Sequence, residues 1–144
     1  MINLETTYMG LQLKNPLIFS SSGLTNSVRK IKIIEEKGAG AVVLKSLFEE
    51  QIRNEAKNLI GKDPSNTSYP EAEDYIQTYI KGNSVSNYLT LIKEAKKAVS
   101  IPVIASINCV SSSDWTSFAK EIEKAGADAP LFNSAMIVSI CVVN

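Results

Sequence analysis

Lys45 closes a short apolar run, Ala41-Val42-Val43-Leu44, and is followed by Ser46. A run this apolar and β-branched suits a strand buried on both faces of a parallel sheet, where an ammonium group is costly anywhere but the strand's end. Parallel α/β sheets bind their ligands at the carboxyl ends of the strands, so a cation there is a candidate binding residue. The alternative is a lysine that merely snorkels to water. Ser20-Ser21-Ser22-Gly23 forms a second polar group after another short apolar run, Leu17-Ile18-Phe19. The carboxylates between Glu49 and Glu73 read as a solvated loop or helix face.

Several chemistries are set aside by what the chain lacks. It contains no histidine, which removes the commonest general base and metal ligand. Cys109 and Cys141 lie far apart and form no metal-spaced or redox-spaced pair, so the expectation is a reduced, cytoplasmic setting. Neither a Gly-x-Gly-x-x-Gly fingerprint nor a Walker loop is present. Fifteen basic residues balance fifteen acidic ones, which offers no electrostatic footprint for nucleic acid. The first residues have no basic region followed by an apolar one, and the longest apolar stretch, Ala135 to Val143, falls well short of the ~20 residues of a membrane helix.

These residues need elements to hold them, and hydrophobic periodicity supplies the outline. Leu4 to Asn15 alternates as a strand pair around Met9-Gly10, and Pro16 forces an extended start to Leu17-Ile18-Phe19. Thr25, Asn26 and Ser27 offer N-caps for a helix whose Val28, Ile31 and Ile34 recur at helical spacing, with Gly38 as its C-cap. The strand Ala41 to Leu44 then completes a strand-helix-strand unit. Gly61 to Asn66 signals a long loop, and Ser86 is read as the cap of a helix carrying Leu89, Ile92, Ala95 and Val99. Pro102 opens the strand Val103 to Ile107, Ser111 to Ser113 precede a helix with Trp115, Phe118 and Ile122 on one face, and Leu131-Phe132 begins a fourth strand. Glu36-Lys37-Gly38-Ala39-Gly40-Ala41 is echoed by Glu123-Lys124-Ala125-Gly126-Ala127-Asp128-Ala129 where a helix hands over to a strand. Alternating βα units follow from this pattern, in either a barrel or a doubly wound sheet.

The ordered set Asn15-Pro16-Leu17-Ile18, Ser21-Ser22-Gly23-Leu24-Thr25, Val43-Leu44-Lys45-Ser46, Asn83-Ser84 and Ile101 to Ile107 resembles the amino-terminal half of a dihydroorotate dehydrogenase, class 1 group, from about residue 4 to about residue 133. The resemblance implies the amino-terminal half of a (β/α)8 TIM barrel, about four parallel strands behind an N-terminal hairpin, spanning residues 1–144 as one partial domain. It implies flavin mononucleotide (FMN) as cofactor, and dihydroorotate oxidised to orotate in pyrimidine synthesis. Ser21, Ser22, Lys45, Ser46 and Asn133 match cofactor positions, with Gly23 allowing close approach of the chain. Lys45, Asn83, Ser84 and Asn133 match substrate positions, Asn83 having a polar turn after Gly82 as its alternative reading.

The match departs from the family at Pro130, which would cost a central strand a ladder bond, and at Met136, which occupies the position of the catalytic base. A thioether has no useful proton affinity. Residues 134–144 form a divergent apolar tail, and at 144 residues the chain is short of the ~250 typical of a whole barrel. The expectation is therefore a truncated flavoenzyme. The alternative is a non-catalytic half-barrel or assembly module, open to homo-oligomer formation through its sheet edges.

Overall fold

The computed structural model describes residues 3–48, 70–108 and 112–132. The chain starts with an antiparallel hairpin, β1 (Thr6–Tyr8) and β2 (Leu11–Leu13), in which Tyr8 faces Leu11. Met9 and Gly10 both take positive φ, 51° and 78°, as a two-residue turn of the primed type requires. Four parallel strand positions follow: β3 (Ile18–Phe19), an interrupted strand made of β4 (Ala41–Val43) and β5 (Leu47–Phe48), β6 (Val103–Asn108) and β7 (Ala129–Phe132). They lie side by side in sequence order. A doubly wound sheet would reverse direction at a switch point; the described strands do not, and they match the expected part of a (β/α)8 barrel.

Among the described residues three helices connect them: α1 (Val28–Glu36), α2 (Pro70–Ala98) and α3 (Ser112–Ala125). No helix among the described residues is long and apolar enough to cross a membrane. The two echoed segments are the same device. Gly38 N–H bonds to the Glu35 carbonyl and Ala39 N–H to that of Ile34; Gly126 and Ala127 bond likewise to Glu123 and Ile122. Both glycines take φ above 90°, the left-handed cap that ends a helix in a paired-bond motif. Each motif delivers the chain straight to a strand: Gly40 N–H bonds to Leu17, just before β3, and Asp128 N–H to Val103 of β6.

Because side chains alternate across a strand, the sheet buries two faces. On the helix side Val42, Leu44, Val103, Ala105 and Ile107 pack with Ile31, Ile92 and Ile122 of the three helices. On the other, Ala41, Val43, Ile104 and Ala129 pack against Leu13 of the hairpin, which therefore covers that face. Each fully buried aliphatic side chain contributes about 1.5–3 kcal/mol.

Two expectations about elements need correction. Gly82-Asn83-Ser84 does not form a turn before a helix capped at Ser86; it lies inside α2, which begins at Pro70. A glycine in a helix costs only about 1 kcal/mol against alanine, and proline suits a first helical turn. Pro130 sits within β7, in register with Ala105, and does not prevent strand pairing. Among the described residues β7 is an edge strand, where proline is tolerated.

Polar ties fasten the lower ends of the helices. Glu35 of α1 accepts the Ser100 N–H (2.7 Å), the Ser100 hydroxyl (2.6 Å) and the Ile101 N–H (3.2 Å), clamping the α2–β6 turn. Its carboxyl is held below the ordinary value, chiefly by the Ser100 hydroxyl, with burial opposing. A group depressed in the folded state stabilises above its unfolded value near ~4.3 and loses that contribution as pH falls through the folded one. Glu35→Gln is therefore expected to lower the urea midpoint at pH 7, by a gap that narrows as the pH falls below the unfolded carboxyl's value. A midpoint difference that does not narrow on acidification would contradict the ionic origin of the clamp.

Candidate functional site

A continuous line of hydroxyls runs past the carboxyl ends of β3 and β4 and into β6. Ser21, in the β3–α1 loop, lies 3.1 Å from the Ser46 hydroxyl, which lies 2.6 Å from that of Ser106 in β6. Ser46 also donates its backbone N–H to the Ser21 oxygen at 2.9 Å. Ser46 and Ser106 are buried, while Ser21 is exposed. Three hydroxyl protons serve two O–H···O contacts, so one proton is left over. Running the donors from Ser106 through Ser46 to Ser21 places the spare proton at the exposed end. There it can donate to a ligand's acceptor atom, strengthened by the bonds behind it.

Lys45 stands between these serines in sequence and is exposed. Its N–H bonds to the Thr25 carbonyl at 3.3 Å, and among the described residues no hydrogen bond or ion pair engages its ammonium. By contrast, Lys96 is committed to Asp128 at 2.7 Å. Lys30 is spent on the Gly23 carbonyl (2.8 Å) and Asn26 (3.0 Å). The β3–α1 loop is itself fixed: Thr25, fully buried, donates its hydroxyl to the Ser22 carbonyl and accepts the Ser22 N–H. Among the described residues the site thus offers a cation without a side-chain partner, next in the chain to a line of hydroxyls, a pair suited to an anionic or acceptor-rich ligand.

Of the candidate site residues, Ser21 and Ser46 are brought into contact, with Lys45 preceding Ser46 in the chain. Ser22 adjoins them, but its hydroxyl accepts the Leu24 N–H within the loop. At exposed Gly23 an added Cβ would meet no protein atom. Asn83 is exposed and Ser84 half-buried on α2, with no described bond to the serine line. Asn133, Met136, both cysteines, the tail from residue 134 and the polar stretch from Glu49 to Tyr69 lie outside the described residues. Ser106 and Tyr88 escape a reading of the sequence, since a serine inside an apolar strand and a tyrosine on a helix's buried stripe carry no signal of their own. Among the described residues no three His, Cys, Asp or Glu side chains are grouped to hold a metal ion. A groove of about 630 Å³ opens at β3 and α1, but its lining, Pro16, Leu17, Phe19 and Ile33 among others, includes none of the serines and not Lys45.

Fold and site together define a class: part of a (β/α)8 barrel with its polar cluster at the carboxyl ends of the strands. Within that class the chain is distantly homologous to the catalytic subunit of dihydroorotate dehydrogenase B (NAD(+)) from Thermoplasma volcanium, with 27% identity over 137 residues. That match covers 90% of this chain but spans only 40% of the relative's length. No family model matches the chain.

Proposed function

We propose that this chain is a flavin-binding unit of the dihydroorotate dehydrogenase type, with FMN as cofactor and dihydroorotate or orotate as the small-molecule ligand. The observation that carries the reading is Lys45, without a side-chain partner among the described residues, next in the chain to the Ser21–Ser46–Ser106 line that runs past the carboxyl ends of β3 and β4 and into β6. The donor set suits a flavin ring, whose rim is rich in hydrogen-bond acceptors and which gains negative charge on reduction. Ser21, Ser22, Ser46 and Asn133 would hold the cofactor. Lys45 would lie between it and the substrate carboxylate, with Asn83, Ser84 and Asn133 toward the pyrimidine ring. Bound flavin would supply the hydride acceptor. The chain's own task is then to orient both partners and to neutralise charge.

Proton removal is where this chain's residues fall short, because Met136 has no lone pair of useful basicity at the base position. Binding, rather than turnover, is the decisive readout. FMN mixed with the purified chain is expected to lose fluorescence and to co-elute on gel filtration, with orotate shifting the visible flavin band. A chain that emerges colourless, with free flavin behind it, would overturn the proposal.

A second reading, a non-catalytic assembly module, is favoured by one feature. The β3 edge is unpaired among the described residues and borders the apolar groove, where Leu17 is 64% exposed. Such an edge invites another strand. A self-associating chain that binds no flavin would favour this reading over the first.

A further inference from the structure

The register of the sheet changes beside Lys45. Val43 pairs with Ile104 and Leu47 with Ile107, so four steps along β4/β5 answer three along β6. One residue is extra, and residues 44–46 form a β-bulge. Upstream the ladder is regular: Val42 and Leu44 donate to the carbonyls of Pro102 and Ile104. Ser46 should donate next to Ser106. Instead Lys45 and Ser46 turn two successive N–H groups the other way, to the Thr25 carbonyl and the Ser21 hydroxyl.

That turn removes a rung from β6. The Leu47–Ile107 pair resumes the ladder on the carbonyl side, while the buried Ser106 N–H faces the gap without a strand acceptor, which is costly for a backbone group. Tyr88 of α2 fills it: its hydroxyl accepts the Ser106 N–H at 2.8 Å and donates to the Ser106 carbonyl at 3.0 Å. One oxygen replaces the missing strand acceptor and adds a donor to the carbonyl, which a hydroxyl can do and a phenyl ring cannot. Tyr88 is 8% exposed, and burial pushes its phenol well above the ordinary value, so the donated proton stays in place at neutral pH. Without that plug, the orphaned N–H of Ser106 would pull β4/β5 back toward a regular ladder. Losing the extra residue moves every following side chain to the opposite face of the sheet.

We propose that Tyr88 is a positioning residue, its hydroxyl standing in for a strand rung and so holding open the bulge that sets Lys45 and Ser46 at the site. The inference deepens the flavin reading, on which it rests for the purpose of that site. Tyr88→Phe is compared with Ile92→Val, a core trim one turn along the same helix that leaves the bulge bonds alone. Three readouts are taken: amide exchange at Ser106 relative to Val103, trace acetylation of Lys45 relative to Lys96, and FMN affinity. In Tyr88→Phe the Ser106 amide is expected to exchange roughly tenfold faster relative to Val103, as loss of a buried hydrogen bond implies. Lys45 labelling is expected to change by about twofold or more, and FMN affinity to weaken about fivefold, as a lost hydrogen bond's worth of positioning implies. Ile92→Val is expected to leave all three ratios near wild type. Equal ratios in the two variants would overturn the proposal. Should Tyr88→Phe fail to fold, the wild-type chain decides: a slowly exchanging Tyr88 hydroxyl proton with a cross-peak to the Ser106 amide supports the rung, and a rapidly exchanging one overturns it. A wild type that binds no FMN sinks the flavin reading alone, because the Ser106 and Lys45 readouts need no flavin.

Discussion

Gly40→Ala is expected to destabilise the fold by about 2–4 kcal/mol, at the upper end of what overpacking usually costs. The cause is space, because Gly40 does not take a positive φ. A Cβ there would overlap the Asn15 backbone carbonyl and stand 2.8 Å from the Asn15 side-chain oxygen. Neither atom can yield. Asn15 donates its amide to the Gly38 carbonyl at 2.8 Å and accepts the Leu17 N–H at 3.0 Å, which staples the end of α1 to the start of β3. Moving it would also disturb the Gly40 N–H bond to Leu17, the first tie between β3 and β4. The same substitution at Gly82 supplies the control, since a Cβ there meets nothing within 4 Å and the residue lies inside α2. Gly82→Ala is expected to stabilise by about 0.5–1 kcal/mol. Urea midpoints would show opposite signs, and a neutral Gly40→Ala would mean that the Asn15 staple is not rigid.

Local chemistry explains why so much of the fold is legible in the residues. Met9-Gly10 can hardly be anything but a hairpin turn, and the matched Gly38 and Gly126 segments announce two helix ends that prove to be the same hydrogen-bonded motif. Strand order is different, because it is a relation between segments. Alternation alone leaves a barrel and a doubly wound sheet equally open, and only the pairing of β3, β4, β6 and β7 separates them. The site shows the same division. Lys45 is visible as a cation ending an apolar run, yet the bulge beneath it is a mismatch of one residue between β4/β5 and β6, which no single segment encodes. Tyr88 is hidden for a related reason: on the buried stripe of α2 it reads as bulk, and its hydroxyl matters only because Ser106 has lost a partner. Gly82-Asn83-Ser84 misleads in the opposite direction, since three residues that favour turns are carried by a long helix around them.

Lys45→Met is expected to weaken orotate binding to the FMN-loaded chain by roughly 5- to 30-fold, while changing stability by no more than about 0.5 kcal/mol. The small stability effect follows from exposure, and from an ammonium that no described residue engages. Methionine keeps much of the apolar stem while deleting the charge, so packing changes little. The binding effect follows from Coulomb's law: a carboxylate about 4 Å from the ammonium gains up to about 4 kcal/mol at an effective dielectric constant near 20, and solvent exposure and salt return much of it. Raising the ionic strength should therefore shrink the difference between wild type and Lys45→Met, since screening weakens only the charged form's advantage. Lys45→Arg separates charge from shape. It keeps the cation but replaces a compact ammonium with a planar fork, so it should preserve the salt dependence while recovering only part of the affinity. Titrations of orotate at two salt concentrations would test all three proteins. If Lys45→Met binds orotate as tightly as the wild type at low salt, the lysine merely reaches water, and the cation at the bulge has no part in holding a ligand.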